Sequence, residues 1–430
     1  MVTIIIRGCG RRRGRSARIS SSSNSVTALS CGTAVSSIIA PRICFFAEIG
    51  LNKGGNPVVF SRLLANESTV GVDIGTSSIK IVHVEMTKQG LSVPHVIICP
   101  TPRDTVKEGV IVNVPEVAAA LQFAMRSAGL RASNGVAAIA GPGVLVRHVQ
   151  LPQMPETVLR KSIHFEAAKF ISASVEDSVI EFEILGEGDE PGQMKVMLVA
   201  ATKQMVESRT AVLEQAGLEP LAIDVEAFAS FRALVECNPN QAFANSSMAL
   251  LDIGASHTEI NLVSKGNLVL TRTVPIAGAS LTTAIKNAEN CSDEEAEQRK
   301  YDLDLHDLIA SPPGSHADQA LKVVQSLIDE ILREIRRSIN YLQSQMPEGT
   351  AETTVEKIIL SGGGSRLRGL ADYTNSRLGM DVRIGNPALY DAIAPLPESG
   401  LTEDDIPLLT VAFGLAIKEL PSATQVFQAA

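Results

Sequence analysis

Val70-Gly71-Val72-Asp73-Ile74-Gly75-Thr76-Ser77-Ser78-Ile79-Lys80 decides the fold, because its centre returns as Asp252-Ile253-Gly254-Ala255-Ser256-His257. Val72 and Leu251 precede the two aspartates, and each turn runs on into an apolar-rich stretch, Ile79 to Val84 or Ile260 to Val263. The offset of 179 residues is far beyond any solenoid period and fits two similar halves. Each half is predicted to present a strand, a tight turn and a second strand. Glycine in such a turn lets backbone approach a ligand closely, while N–H groups and hydroxyls can hold phosphate oxygens. A pair of aspartates can organise a hydrated divalent cation. With a further glycine cluster at Gly362-Gly363-Gly364, the pattern predicts a nucleotide held in a cleft between lobes.

The composition suits a soluble globular protein of two or more domains: 430 residues, 45% hydrophobic and 20% charged. A formal charge of −9 argues against a broadly basic nucleic-acid surface. Residues 1–42 carry seven arginines and no acid, which leaves −16 for the remaining chain. That basic start has a serine-rich run, Ser20 to Ser25, and no apolar face to order it, so residues 1–67 are expected to be a disordered extension. The other reading is a targeting or binding tail. No uninterrupted apolar run reaches the roughly 20 residues of a membrane-spanning helix. Six cysteines are dispersed without CxxC spacing, as expected of a reducing compartment without structural zinc.

Periodicity then divides the chain. A helix is predicted over 115–128 from Val117, Leu121 and Met125, ended by Gly129. Residues 134–216 read as an inserted βαββα module, with a helix carrying Leu159, Ile163, Ala167 and Phe170 and a glycine-rich turn at 186–192. Strands resume at 247–273, and 302–315 is expected to be loop. The longest helix is predicted at 317–342, with Val324, Ile328, Ile331, Ile335 and Ile339 along one stripe. The division expected is a first half at 68–245 containing the insertion and a second half at 246–390 with a helical lobe at 286–350. A segment at 391–420 should return to the first half, and 421–430 should be a flexible tail.

Several segments carry a more specific likeness: the stretch from Val70 to Lys80, Ile223-Asp224-Val225-Glu226-Ala227, and Pro275-Ile276-Ala277-Gly278-Ala279-Ser280-Leu281-Thr282. They are joined by Ala296-Glu297-x-x-Lys300, Ser361-Gly362-Gly363-Gly364 and Phe413-Gly414-Leu415. In this order and spacing the chain resembles the actin-like ATPase superfamily, and more closely the PilM family of type IV pilus assembly proteins, relatives of the cell-division protein FtsA. The resemblance covers roughly residues 68–420. It implies a two-lobed actin-like (ribonuclease H-like) α/β fold with an inserted SHS2-like subdomain, and ATP with Mg2+ as ligands.

Carried over to this sequence, the resemblance makes Asp73 and Asp252 the metal-side residues, with Gly75, Thr76, Ser77 and Gly254 around the phosphates. Lys80 is expected at the β-phosphate, against the alternative of a plain strand lysine. Asp224 and Glu226 compete for orienting an attacking water. Glu297 and Lys300 are implied at ribose and base, against a surface ion pair, and Gly362, Gly363 and Gly364 at adenosine and the α-phosphate. His257 reads either as a phosphate-side residue or as a satisfied strand-edge histidine. The expected function is an ATP-binding scaffold of pilus assembly, cytoplasmic and held at the inner membrane by the cytoplasmic N-terminus of a PilN-like protein. These loops leave turnover open. Two other readings stand beside it: a sugar- or acetate-type kinase, for which no acceptor-hydroxyl base stands out, and a division-type filament protein, whose basic amphipathic anchor is not evident before Ala430.

Overall fold

The first half begins with a meander whose turn is short enough to force antiparallel pairing: β1 (Thr69–Ile74), β2 (Ser78–Thr87) and β3 (Gly90–Pro100). The computed structural model describes residues 68–418 apart from 88–89, 172–173, 237–245, 311–317, 345–354 and 388–400. The extension at 1–67 and the tail at 421–430 therefore lie outside the described residues. After a small hairpin, β4 (Val106–Lys107) and β5 (Val110–Ile111), comes α1 (Val114–Ser127). Asn113 caps α1 by accepting from the Glu116 N–H, and Val117, Leu121 and Met125 form its buried stripe, as the periodicity predicts. The strand β6 (Asn134–Ile139) then pairs parallel with β1.

A separate three-stranded sheet follows, ordered β7-β9-β8: β7 (Val144–Pro152), β8 (Ser178–Glu187) and β9 (Gln193–Thr202), with α2 (Glu156–Ala167) between the first two. The helix α3 (Lys203–Ala216) leaves it and ends at Gly217 in the left-handed region, φ 91°. The strand β10 (Glu219–Val225) then joins β6, completing a five-stranded sheet in the order β10-β6-β1-β2-β3. The insertion expected from 134 thus starts later: β6 belongs to the five-stranded sheet, and the second sheet begins only at Val144. An apolar run such as Val136 to Ala140 suits either sheet, so the sequence could not place that boundary.

The short α4 (Glu226–Phe231) runs on into a π-helical turn, Arg232–Glu236. The second half then repeats the first. Its strands β11 (Met248–Ile253), β12 (Thr258–Ser264) and β13 (Asn267–Val274) form the same antiparallel meander. Three helices follow, α5 (Gly278–Glu289), α6 (Asp293–Asp302) and α7 (His306–Ala310), then the long α8 (Gln319–Ser344). The helix α7 lies where loop was expected. Asp304 accepts the His306 N–H at 3.0 Å and Leu305 and Leu308 are buried, which is enough to close one turn and a half. Strand β14 (Lys357–Ser361) runs parallel to β11. The chain then passes through α9 (Leu370–Leu378) to β15 (Asp381–Ile384), which gives the order β13-β12-β11-β14-β15. Along α8, Val324, Ile328, Ile331, Ile335, Ile339 and Leu342 are buried at intervals of three or four, each contributing about 1.5–3 kcal/mol over exposure.

The chain ends its described course with a 3-10 segment, Glu403–Leu409, and α10 (Thr410–Ala416), which packs back on β1, β2 and α4. Two glycines permit that crossing. A Cβ at Gly71 would lie 2.1 Å from the Ala412 carbonyl oxygen, and one at Gly414 would lie 2.0 Å from that of Ala229. No side chain fits at Gly71 without moving α10 off the sheet, or at Gly414 without moving it off α4.

Candidate functional site

The two Asp-Ile-Gly turns have the same backbone. Gly75 N–H donates to the Ser78 carbonyl at 3.1 Å, and Gly254 N–H to the His257 carbonyl at 3.0 Å. They meet across the halves, where the Thr76 hydroxyl donates to Ser256 Oγ at 3.1 Å. Around this contact lies a cavity of about 440 Å³ at the C-terminal ends of β1 and β11, where open α/β sheets bind ligands. It is lined from the first half by Asp73, Gly75, Thr76, Ser77 and Lys80. From the second come Asp252, Gly254, Glu297, Lys300, Gly362, Gly363 and Gly364. Of the two competing acids, Glu226 lines it and Asp224 does not.

Asp73 and Lys80 are register partners on β1 and β2, and their side chains form an ion pair at 3.0 Å. Burial raises the Asp73 pKa, with Lys80 opposing; burial also acts against the Lys80 charge, but Asp73 outweighs it and holds the ammonium protonated. Asp252 accepts from the Ser361 hydroxyl at 2.7 Å, and burial pushes its carboxyl up to about 6. Its register partner on β12 is another acid, Glu259, which burial and then the nearby Glu226 push up to about 8. One Glu259 oxygen is buried with no hydrogen-bond partner. Asp73, Glu226 and Asp252 line the cavity with hard oxygen donors, with Glu259 buried behind Asp252, and the three lining acids fit Mg2+.

His257 belongs to this cluster and is no isolated strand-edge residue. Its Nε2 lies 3.9 Å from Glu226 Oε2, and its Nδ1 lies 3.1 Å from Ser256 Oγ. Burial acts against its charge, but the negative charge of the neighbouring Glu226 raises its pKa to about 9. Ligating atoms of Glu226, His257 and Glu259 all fall within 4.8 Å of one another.

On the other side of the cavity, Lys300 Nζ contacts Glu297 at 2.7 Å and Thr282 Oγ1 at 2.9 Å, while Thr282 donates to Glu297 at 2.6 Å. The pair therefore ties α6 to α5 and presents one side to the cavity. Tyr301 stands beside it, its ring centre 5.7 Å from both Lys300 Nζ and the Arg366 guanidinium. The three glycines differ. At Gly362, with φ 78°, a Cβ would lie 2.6 Å from Asp252 Oδ1; at Gly364 one would lie 2.2 Å from Ile253 Cγ2. Both are glycine so that this turn can pack on the end of β11. Gly363 alone has open space at its Cβ position.

Asp224 corrects the expectation that it orients water. It is fully buried and faces away from the cleft, paired with Arg232 at 2.9 Å and Lys418 at 3.0 Å. Burial opposes its charge, yet Lys418 and Arg232 hold the carboxyl below its ordinary range. Since Arg232 also donates to the Gly414 carbonyl at 2.7 Å, this acid fastens α10 to the first half. Sequence reasoning quoted Thr282 and Ser361 in its motifs without giving them a role and missed Tyr301 and Arg209, all at or beside the cavity. Arg209 had a signal: it occupies the Met205–Arg209–Leu213 stripe of α3, where an apolar residue is the norm.

The model of the family described as "Type IV pilus assembly protein PilM" matches residues 71–420. A solved structure described as a PilM-PilN type IV pilus biogenesis complex contains a similar chain, 26% identical with a TM-score of 0.69. That match covers 81% of this chain and 97% of that one. The cell division protein FtsA of Bacillus subtilis (strain 168) is 23% identical over 372 residues, 75% of this chain and 79% of that protein. FtsA of Pseudomonas aeruginosa is 27% identical over 359 residues, covering 74% and 82%. These likenesses agree with the duplicated sheets in giving the chain an actin-like ATPase fold. It belongs to the PilM family of type IV pilus assembly proteins.

Proposed function

We propose that the chain is an ATP-binding scaffold for type IV pilus assembly, working at the cytoplasmic face of the inner membrane through a PilN-like partner. The observation that carries the nucleotide reading is the contact between the two duplicated turns, Thr76 to Ser256, at the mouth of a cavity with acids on its floor. Thr76, Ser77 and the N–H groups after Gly75 and Gly254 hold phosphate oxygens, with Lys80 as their nearest fixed cation. Asp73 and Asp252 would hold Mg2+, and the Ser361 hydroxyl fixes the Asp252 carboxylate by a hydrogen bond. When bound, Mg2+ would neutralise phosphate charge. Glu226, rather than Asp224, takes the position for orienting a water, and His257 steadies it from the opposite half. Glu297, Lys300 and the backbone at Gly363 face the nucleoside. Binding and closure of the halves suffice for a scaffold, whatever the rate of hydrolysis.

Similarity to the chain in the PilM-PilN complex supports a PilN-like partner, and in this reading its N-terminal tail docks beside the three-stranded sheet. An extended N-terminal tail can add backbone pairing while alternate side chains enter pockets. Among the described residues no helix is long and apolar enough to cross a membrane. Hydrogen exchange of the full chain with a PilN-like N-terminal peptide tests the docking. Protection is expected in 144–202 and the adjoining first half; protection confined to 286–344 would overturn it. ATP consumption that appears only with a hydroxylated metabolite would replace the scaffold with a kinase.

A further inference from the structure

Arg209 comes from neither duplicated turn, yet its side chain forms part of the cavity wall. It is 2% exposed, at the centre of α3. Nε donates to the Ala138 carbonyl at the end of β6, and Nη1 to the Gly109 carbonyl at 2.6 Å and, more weakly, to that of Met205 at 3.5 Å. Those bonds fix the plane of the guanidinium. Nη2 makes no hydrogen bond to any described residue. With Nε and Nη1 committed to carbonyls and Nη2 left open to the cavity, the guanidinium is held ready for an acceptor there, and the planar fork suits a phosphoryl oxygen. Its place is on the phosphate side, close enough to Asp73 and Glu226 for their charges to act on it. Tyr301 and Lys300 line the other side.

The helix that carries Arg209 also continues directly from the three-stranded module. Thr202, the last residue of β9, caps α3 by accepting from Met205 N–H. The β9 strand is packed on both faces. Met194, Val196 and Leu198 join the α2 core, whereas Met197, Val199 and Ala201 join the same first-half core as Met205. Close packing on both faces leaves little slack, so a shift of α3 is transmitted to the module's sheet.

We infer that Arg209 is a terminal-phosphate sensor: Nη2 binds a γ-phosphoryl oxygen, and α3 with β9 relays its presence to the three-stranded module. This rests on the nucleotide reading above and adds to it a residue, a phosphate and a route.

The test uses the full chain, Mg2+, ADP and a non-hydrolysable ATP analogue. Calorimetry should show that unmodified protein prefers the triphosphate, and that R209K lowers that preference about ten-fold or more, the loss expected of a charge-assisted hydrogen bond. ADP affinity should change little. Hydrogen exchange in 193–216 should differ between the two nucleotides in the unmodified chain and converge in R209K. An unchanged triphosphate preference in R209K overturns the inference. If R209K does not fold, the unmodified chain still decides: identical exchange in 193–216 with either nucleotide overturns it. Should the unmodified chain bind neither nucleotide, the cleft reading fails and the sensor falls with it.

Discussion

The β1–β2 and β11–β12 hairpins share a backbone and differ in charge. Opposite Asp73 stands Lys80; opposite Asp252, at the equivalent register, stands Glu259. The first pair neutralises itself at 3.0 Å, while the second holds two buried acids whose ordinary ionisation is suppressed. Two residues before each aspartate the hairpins differ again, Gly71 against Leu250. The first lies under α10, and the second packs with Phe231 and Leu234. Duplication thus supplies the turn, and divergence behind it polarises the cleft, with a lysine–aspartate ion pair on one wall and two buried acids on the other.

Exchanging residues between the hairpins tests this contrast. Gly71→Leu gives the first hairpin the second's residue at a position where any Cβ would meet the Ala412 carbonyl oxygen at 2.1 Å. Overpacking against backbone should cost about 3 kcal/mol or more in urea unfolding and expose α10 to proteolysis. Stability within about 0.5 kcal/mol of the unmodified chain would mean that α10 is not seated as described. Lys80→Glu gives the first hairpin the second's acid pair. Mg-ATP affinity should fall at least about a hundred-fold by calorimetry, with circular dichroism reporting an intact fold.

The second hairpin predicts a pH dependence in two directions. Asp252, at about 6, must shed its proton to hold a cation, so Mg-ATP affinity should rise about ten-fold from pH 5 to 7. Stability without nucleotide runs the other way. Glu259 at about 8 lies above its ordinary 4.5, so its contribution is fully present below 4.5 and lost as pH rises through 8. His257, raised from 6.5 to about 9, has the same sign: its contribution is present below 6.5 and lost as pH rises through 9. The melting temperature should therefore fall from pH 5 to 8, and Glu259→Gln should flatten that slope; an unaltered slope would remove Glu259 from the account.

The smallest effect is expected where the halves meet at the surface. Arg103 and Glu294 pair at 3.0 Å with side chains 88% and 69% exposed, and solvent screens such a pair. Arg103→Ala should change neither melting temperature nor ATP affinity measurably. A clear loss of affinity would mean that this contact helps to hold the cleft closed.

Much of this architecture is legible in the sequence for a physical reason: two tight turns, each with an aspartate at a fixed offset, constrain backbone and chemistry together. The α8 stripe is legible because one face repeats for 26 residues. Asp224 and Glu226 could not be separated. They lie two apart, which in a continuing strand would put both on one face, but the chain turns into α4 at Glu226 and sends them to opposite environments. The α3 stripe marks Arg209 as out of place, but its role escapes a reading of the sequence because its partners, Ala138 and Gly109, are 71 and 100 residues away and contribute only backbone carbonyls. Backbone acceptors leave no trace in residue identity.

The central claim is that nucleotide binds between the halves using both hairpins, and calorimetric titration of the full chain with ATP, with and without Mg2+, tests it most directly. The account predicts a single site that requires Mg2+ for full affinity and that weakens in Asp73→Ala and again in Asp252→Ala, each with its fold retained. Equal affinity in all three proteins with Mg2+ present would contradict it.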